Sequence, residues 1–298
     1  MKVFVTGATG YVGTALIKNL TGAGHTVLGM ARSDASAAKL RDQGIEVHRG
    51  ELSDPASLVE GAKRADAVIH TAFPQMGPDT DFEALMRMMT AAVAAMVDSL
   101  KGTDKTFILT SGAGGYGPQT GTTPLDESMP IIAPTHAPNE QKVLGATSEG
   151  VRSIVLRPTI AYGRGGSFPL MAWFDISRKM GGGVYIGEGD ALISSVYIDD
   201  LAELYRLALE KAEPGEAYNA AAGSAIATKE VAEAISEAAG LGGKTVSIPP
   251  EEVEKAGFIG QLIGHNMVVS TEKAQRELGW QPSGPSLLEE LRSGSYAS

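Results

Sequence analysis

A glycine-rich turn near the start of the chain joins a strand pattern directly to a helix pattern. Val3–Thr6 is strand-like, the turn over Thr6–Gly13 reads Thr-Gly-Ala-Thr-Gly-Tyr-Val-Gly, and Thr14–Leu20 has a helical pattern. Such a turn lets the backbone approach a pyrophosphate, and the free N–H groups at the start of the helix can bind the anion. The sequence therefore predicts a dinucleotide phosphate site whose binding residues are Gly7, Thr9, Gly10, Tyr11, Val12 and Gly13.

Strand-like and helix-like segments alternate through the first half of the chain. Asp54 followed by Pro55 is typical of a helix start, and Gly150 is typical of a helix end. Alternation of this kind predicts an α/β fold with a Rossmann-type, doubly wound parallel sheet. The predicted strands are Val3–Thr6, Thr26–Ala31, Ile45–His48, Ala67–Thr71, Thr106–Thr110 and Ser153–Leu156.

The rhythm changes after Arg157 and Pro158, where a glycine-containing loop precedes a helix pattern over Phe168–Met180. We expect residues 1–160 to form the dinucleotide-binding domain, with a later stretch, about 190–225, contributing to it. Residues 161–298 are expected to form mainly a smaller C-terminal α/β lobe that binds substrate. A further helix is expected to begin around Asp199 and Asp200, which would cap it.

Composition excludes several functional classes. The chain has 298 residues, a formal net charge of −10 and no Cys, so thiolate metal sites, disulfides and cysteine nucleophiles are absent. The five His residues have no metal-like spacing, and no metal site is expected. No basic block, signal peptide or long apolar run is visible, so we expect a cytoplasmic protein without nucleic-acid or membrane partners.

The end of the second predicted strand indicates which dinucleotide is bound. A site that prefers NAD usually has Asp or Glu there, about 20 residues past the glycines, to hold the ribose 2′-OH. This chain has Arg32 and Ser33 instead. Because a guanidinium suits a 2′-phosphate and a carboxylate would repel it, the sequence favours NADP over NAD.

Several motifs occur in the order that one enzyme family uses. They are Thr6–Gly13, Gly50–Asp54, His70–Ala72, Leu156–Gly163, Val196–Ala202 and Leu278–Pro282. Together they resemble the extended short-chain dehydrogenase/reductase family, which includes sugar-nucleotide epimerases and dehydratases. The resemblance covers nearly the whole chain. It implies that Glu51 and Leu52 lie near the adenine, that Thr71, Ala72 and Phe73 lie beside the cofactor riboses, and that Pro158 lies near the nicotinamide.

The chain departs from the family's pattern where the chemistry is done. The family uses a Tyr, a Lys four residues later on the same helix, and a Ser or Thr from the loop after the fifth strand. By spacing, the Tyr and Lys positions correspond to His136 and Glu140, and the hydroxyl position corresponds to Gly112, beside Ser111. Lys142 cannot replace the missing Lys, because a shift of two residues turns a side chain by about 200° around a helix.

Two interpretations of this departure stay open. In one, His136 and Glu140 share a helix face, the carboxylate raises the pKa of the imidazole, and the pair donates a proton while Ser111 holds the substrate carbonyl. Tyr116 is a spare phenol in the same loop. In the other, His136 and Glu140 are an ordinary surface or lobe-facing pair.

The sequence thus predicts an NADP(H)-dependent oxidoreductase acting on a small carbonyl or alcohol. The alternatives are a sugar or nucleotide-sugar epimerase or dehydratase with tightly bound cofactor, and a catalytically silent NADP-binding sensor or regulator. The segment Phe73–Pro78 is expected to form a loop at the same crevice. A homodimer is left open, since the helix pattern Asp81–Leu100 suits either the core or a subunit contact.

Overall fold

We describe the protein from a computed structural model that covers residues 1–74 and 81–297. Residues 75–78 of the expected crevice loop lie outside this described part of the chain. No helix within it is long and apolar enough to cross a membrane.

The main sheet contains seven parallel strands in the order β10-β6-β5-β4-β1-β2-β3. Three further strands form a second sheet in the order β11-β9-β7, and β12 pairs with β8. The strands are β1 (Lys2–Thr6), β2 (Thr26–Ala31), β3 (Glu46–Arg49), β4 (Ala67–His70), β5 (Thr106–Thr110), β6 (Arg152–Pro158), β7 (Ile160–Tyr162), β8 (Gly183–Ile186), β9 (Leu192–Tyr197), β10 (Glu216–Ala220), β11 (Ala222–Ala227) and β12 (Thr245–Ile248).

Helices cover both faces of the main sheet and build most of the second lobe. Short 3₁₀ turns occur at Ala113–Tyr116, Ala146–Glu149 and Pro250–Ala256. The helices are α1 (Tyr11–Gly22), α2 (Asp34–Asp42), α3 (Pro55–Lys63), α4 (Phe82–Ser99), α5 (Ala137–Gly145), α6 (Phe168–Met180), α7 (Ile198–Lys211), α8 (Thr228–Ala238), α9 (Gly257–Ile263), α10 (Glu272–Leu278) and α11 (Leu287–Ser293). The predicted fold class, a doubly wound parallel sheet with a smaller C-terminal lobe, is confirmed.

Local signals explain most of the element ends. Asp54 accepts hydrogen bonds from two N–H groups in the first turn of α3, and Gly150 adopts the left-handed conformation after the turn that follows α5. The prediction that Asp199 or Asp200 caps α7 is wrong, because Tyr197 is the cap residue. Asp200, in the first turn of α7, is buried and accepts hydrogen bonds from the N–H groups of Ser283 and Gly284, both 3.0 Å long.

The expected contribution of residues 190–225 to the first lobe is divided between the two lobes. Helix α7 packs on α1, and β10 extends the main sheet beside β6. Strand β9 instead pairs with β7 and β11 in the second sheet. Because the carboxyl ends of parallel strands meet at one edge, β1, β2, β4, β5 and β6 all deliver their following loops to one crevice.

Candidate cofactor and active site

The turn after β1 has the close packing that its glycines predict. Gly7 has φ +69, and a Cβ atom there would lie 2.8 Å from the backbone N of Ala72. A Cβ atom on Gly13 would lie 2.1 Å from the carbonyl oxygen of Gly7. Neither site has room for a side chain, so the turn between β1 and α1 can keep this shape only with glycine at both positions.

The start of α1 suits an anion. The N-cap residue Gly10 provides no side-chain cap, and no acidic residue lies in the first turn. The N–H groups at Tyr11, Val12 and Gly13 are therefore left for a ligand, and the helix dipole favours a negative charge there. These observations fit the pyrophosphate of a dinucleotide.

The end of β4 is held against this turn by polar contacts. The Thr71 hydroxyl donates to the carbonyl oxygen of Thr6 over 2.7 Å, and the hydroxyl of Thr6 lies 2.8 Å from Nδ1 of His70. His70 is fully buried, and burial lowers its pKa to about 4, so the ring is neutral. The next residues, Ala72 and Phe73, face the crevice edge, where 57% of Phe73 is exposed.

The neighbouring ends of β2 and β3 together provide two arginines rather than one. Arg32 is exposed, and Arg49 at the end of β3 donates to the carbonyl oxygen of Arg32 over 3.4 Å. Ser33 caps α2 through a capping box with Ser36, and this uses its hydroxyl. Sequence reasoning missed Arg49, although the strand pairing Ala31↔Arg49 places it there. Glu51 and Leu52 follow β3 at the same sheet edge, with Glu51 exposed.

His136 lies against the loop that follows β5. A Cβ atom on Gly112 would lie 3.2 Å from Nε2 of His136, and one on Gly115 would lie 3.1 Å from its Cβ. The imidazole therefore borders the space that a side chain at position 112 would take. Nδ1 of His136 is 2.7 Å from the hydroxyl oxygen of Thr135. Positions 112 and 136, which correspond by spacing to the family's hydroxyl and Tyr, therefore lie next to each other.

The expected rise of the His136 pKa is wrong. Burial is the larger effect and lowers the pKa of the imidazole, while the charge of Glu140 opposes it incompletely. The neutral ring is consequently favoured near pH 7. Ser111, beside Gly112, has a buried hydroxyl oxygen with no hydrogen-bond partner in the part of the chain that the structure describes.

Glu140 has a partner other than His136. Its carboxylate accepts three hydrogen bonds from Arg157, two from Nε at 3.3 and 3.1 Å and one from Nη2 at 2.7 Å, and both side chains are almost fully buried. Burial opposes the charge on Arg157, but the hydrogen bonds and charge of Glu140 outweigh it and raise the guanidinium pKa. Glu140 therefore supports the end of β6, next to Pro158, and a proton-transfer role for it stays a prediction.

Tyr116 belongs to the same buried network. Its hydroxyl oxygen accepts from Nη1 of Arg157 over 2.9 Å and donates to Oδ1 of Asn219 over 2.9 Å. Only 7% of Tyr116 is exposed, and burial raises its pKa. This arrangement gives the phenol a structural task, and its use as a spare proton donor stays a prediction. Lys142 points elsewhere and pairs with Asp98 over 2.6 Å.

The second lobe supplies aromatic residues mainly to its own core. Trp173 and Phe174 are buried with α8 and α11, whereas 58% of Phe168 is exposed at the start of α6. Arg164, in the loop before α6, pairs with Asp199 over 2.6 Å. No cluster of three metal-binding side chains occurs in residues 1–74 and 81–297.

Comparison with known proteins agrees with this geometry. Residues 3–221 match the model of the NAD dependent epimerase/dehydratase family. The chain belongs to this family. It is also 35% identical, over 98% of each chain, to the uncharacterized protein YLL056C of Saccharomyces cerevisiae.

Two other relatives illustrate the range of the family. The chain is 25% identical to 4-hydroxy-2-methyl-3-oxo-4-farnesyl-3,4-dihydroquinoline-1-oxide ketoreductase of Stigmatella aurantiaca, over 94% of this chain and 92% of the relative. The structure of Thermus thermophilus UDP-glucose 4-epimerase in complex with NAD superposes with a TM-score of 0.76 at 22% identity, over 98% and 99% of the two chains. The family and its Rossmann-type sheet are therefore established for this chain, and the extended short-chain dehydrogenase/reductase resemblance is confirmed.

Proposed function

We propose that this protein is an NADP(H)-dependent oxidoreductase that interconverts a small-molecule carbonyl compound and its alcohol. The observation that carries the proposal is the contact between the His136 imidazole and the Gly112 position. That position corresponds to the usual hydroxyl of the family, and His136 corresponds to the usual Tyr. By this spacing, a group able to exchange a proton would stand where the family has its own.

Different residues at the crevice would bind the cofactor, transfer the proton and hold the substrate. The turn Gly7–Gly13 and the start of α1 would hold the dinucleotide, which supplies or accepts a hydride when bound. In reduction, the protonated His136 ring would give its Nε2 proton to the substrate oxygen and become neutral. In oxidation, the neutral ring would take the proton of the alcohol. Ser111 would donate its otherwise unpaired hydroxyl hydrogen to the same oxygen. The network of Glu140, Arg157 and Tyr116 would keep the β5 and β6 loops in place.

Two arginines support NADP as the partner. The exposed Arg32 and the nearby Arg49 would supply positive charge for the 2′-phosphate of NADP. Arg49 also pairs with Asp34 over 3.3 Å. Charge-assisted contacts with phosphate are strong compared with neutral hydrogen bonds. Because the Ser33 hydroxyl caps α2, the two guanidinium groups are the groups that would distinguish NADP from NAD.

Calorimetric titration of NADPH and NADH tests the cofactor assignment. Replacing Arg32 by Ala should weaken NADPH binding about tenfold and leave NADH binding unchanged, because only NADPH carries the 2′-phosphate. Arg41→Ala, an exposed arginine in the last turn of α2, is the matched control and should change neither. Tighter binding of NADH than of NADPH by the unchanged protein would contradict the assignment.

Absorbance-monitored turnover against a panel of ketones and aldehydes tests the reaction. His136→Ala should lower kcat by about 10²–10⁴-fold while NADPH affinity is kept, because a proton-transfer group is lost without a cofactor contact. His265→Ala, an exposed histidine of the second lobe, is the control. Unchanged turnover in His136→Ala would remove this residue from the mechanism.

The missing Tyr and Lys favour a second candidate, a catalytically silent NADP-binding sensor. NADPH binding by the unchanged protein without turnover on the panel would support it. An epimerase or dehydratase that recycles its dinucleotide is the third candidate. Copurified dinucleotide and product formation without net NADPH consumption would support that reading.

A further inference from the structure

The glycine turn also contacts the loop that follows β7. Tyr11 is the first residue of α1, and its hydroxyl donates to the carbonyl oxygen of Gly163 over 2.9 Å. A Cβ atom on Gly166 would lie 2.4 Å from the Tyr11 ring. The loop 163–167 therefore rests directly on a residue of the predicted phosphate site. Burial raises the pKa of Tyr11, so its hydroxyl keeps the proton that it donates.

The conformation of the 163–167 loop is not one that its residues favour alone. Gly163 and Gly165 have φ values of +110 and +64, and the non-glycine residues Arg164 and Ser167 have values of +55 and +98. Positive φ angles are unfavourable for residues with a side chain. The surrounding structure must therefore hold this loop in place.

Ser295 and Tyr296, near the C-terminus, provide that support, and we call them the C-terminal clasp. The N–H of Gly163 donates to the Tyr296 hydroxyl over 2.7 Å, and that hydroxyl donates to the carbonyl oxygen of Gly166 over 2.6 Å. The N–H of Gly165 donates to the hydroxyl of Ser295 over 2.8 Å. The clasp thus binds three of the five loop residues, and the hydroxyls of Tyr296 and Tyr11 both lie within hydrogen-bond distance of the carbonyl oxygen of Gly163, at 3.3 and 2.9 Å.

The clasp is itself fixed to the second lobe. The backbone N–H of Ser295 donates to the carboxylate of Glu290 in α11 over 3.1 Å, and its hydroxyl donates to the same oxygen over 2.5 Å. The Tyr296 ring stacks on Phe174 of α6 with centroids 6.0 Å apart, and only 8% of Tyr296 is exposed. A continuous series of contacts therefore connects the second lobe, through the 163–167 loop, to the glycine turn.

We propose that Tyr296 is a positioning residue for dinucleotide binding, acting through the 163–167 loop on Tyr11 and the start of α1. The inference rests on the proposed dinucleotide function. It extends the cofactor site to the last residues of the chain, which lie about 130 positions from the loop in sequence. Without the Tyr296 hydroxyl, Gly163 and Gly166 lose a shared partner and the loop is freer to leave Tyr11.

The test compares Tyr296→Phe with the unchanged protein by titrating NADPH and by following NADPH dissociation in stopped flow. The Phe ring keeps the stacking on Phe174, so only the hydroxyl contacts are lost. We expect the Kd for NADPH to rise about five- to tenfold, mainly through faster dissociation, while KM for the carbonyl substrate is unchanged. Ser295→Ala should shift the Kd in the same direction through an independent contact.

Tyr218→Phe is the matched control. Tyr218 is buried on β10, and its hydroxyl donates to Glu277 over 3.2 Å, away from the glycine turn. This variant should leave the NADPH Kd unchanged even where it lowers the melting temperature. If Tyr296→Phe also lowers only the melting temperature, Tyr296 is merely structural and the inference is wrong. If the unchanged protein binds no dinucleotide, the proposed function fails first and takes this inference with it.

Discussion

His136 and two glycines of the β5 loop share one volume. Gly112 has an extended backbone with φ 175, which any residue can adopt, so backbone freedom does not explain its glycine. The explanation is space, because a Cβ atom at either Gly112 or Gly115 would press on His136. His136 consequently occupies part of the space that a side chain at position 112 would need.

Gly115→Ala tests this shared volume. The new Cβ would lie 2.9 Å from Cγ2 of Ile131 and 3.1 Å from Cβ of His136, so we expect a loss of about 1–3 kcal/mol of stability and lower turnover. Urea denaturation and steady-state kinetics measure the two effects. Gly114→Ala is the control, because no atom lies within 4 Å of its Cβ position. Equal effects of the two substitutions would contradict the packing argument.

The pH dependence of alcohol oxidation tests the protonation state of His136. Oxidation needs the neutral imidazole as a base, and burial lowers the pKa of His136 below its ordinary 6.5. We therefore expect kcat/KM for oxidation to be flat between about pH 7 and 8 and to fall on the acid side with a midpoint below 6.5. His136→Gln should abolish this acid limb. A midpoint above 6.5 would show that Glu140 dominates the imidazole after all.

At the scale of elements, one buried ion pair joins α5 to β6. The side chains of Glu140 and Arg157 are only 3% and 6% exposed, and Arg157 also donates to Tyr116 at the end of the β5 loop. The carboxylate of Glu140, which corresponds by spacing to the family's Lys, is therefore paired with Arg157 at a site from which water is excluded. The pair fixes the helix that begins beside His136 to the strand that ends at Pro158.

Glu140→Gln should lower the free energy of unfolding by about 3 kcal/mol, because it leaves the buried guanidinium without its counter-charge. Denaturant titration of both variants provides the comparison. The control is Glu83→Gln, which breaks the exposed pair of Glu83 with Arg87 on α4 and should cost less than about 0.5 kcal/mol. If Glu140→Gln costs equally little, the attraction between Glu140 and Arg157 only offsets the cost of burying the two charges, and the pair adds no net stability.

At the scale of the whole molecule, the C-terminal segment crosses both lobes. Trp280 is fully buried in the core that contains α1 and α7, and its Nε1 donates to the carbonyl oxygen of Asp200 over 2.9 Å. A few residues later, Leu287, Leu291 and Tyr296 are buried in the core of the second lobe. The C-terminal segment therefore contributes buried side chains to the hydrophobic cores of both lobes.

We therefore expect the two lobes to unfold in a single cooperative transition. The chain has two tryptophans, Trp173 in the second core and Trp280 in the first, so each can report on one lobe. Urea titrations of Trp173→Phe and Trp280→Phe, followed by fluorescence, should each coincide with the far-UV circular dichroism transition of the same variant. A fluorescence midpoint that differs from the circular dichroism midpoint in either variant would show that the lobes unfold separately.

Much of the first lobe could be predicted from local sequence. The turn Thr6–Gly13, the buried strands β1 to β6 and the cap at Asp54 are fixed by residues close together in the chain, because glycine conformation, hydrophobic runs and capping act locally. The predicted cofactor residues from Gly7 to Phe73 follow from that order. The same reasoning failed at α7, where Asp200 faces Ser283 and Gly284 instead of capping its helix.

The tertiary structure decided the chemistry of the side chains. Spacing alone aligned His136 with Glu140, but Arg157, from another element, binds that carboxylate, and burial lowers the imidazole pKa. The same holds for Arg49 beside Arg32 and for Tyr296 against the 163–167 loop. The sequence by itself determined the sheet and the glycine turn, whose causes are local. Ion pairs, burial and the contact between the C-terminus and Tyr11's loop depend on residues far apart in the chain, so only the folded structure could assign them.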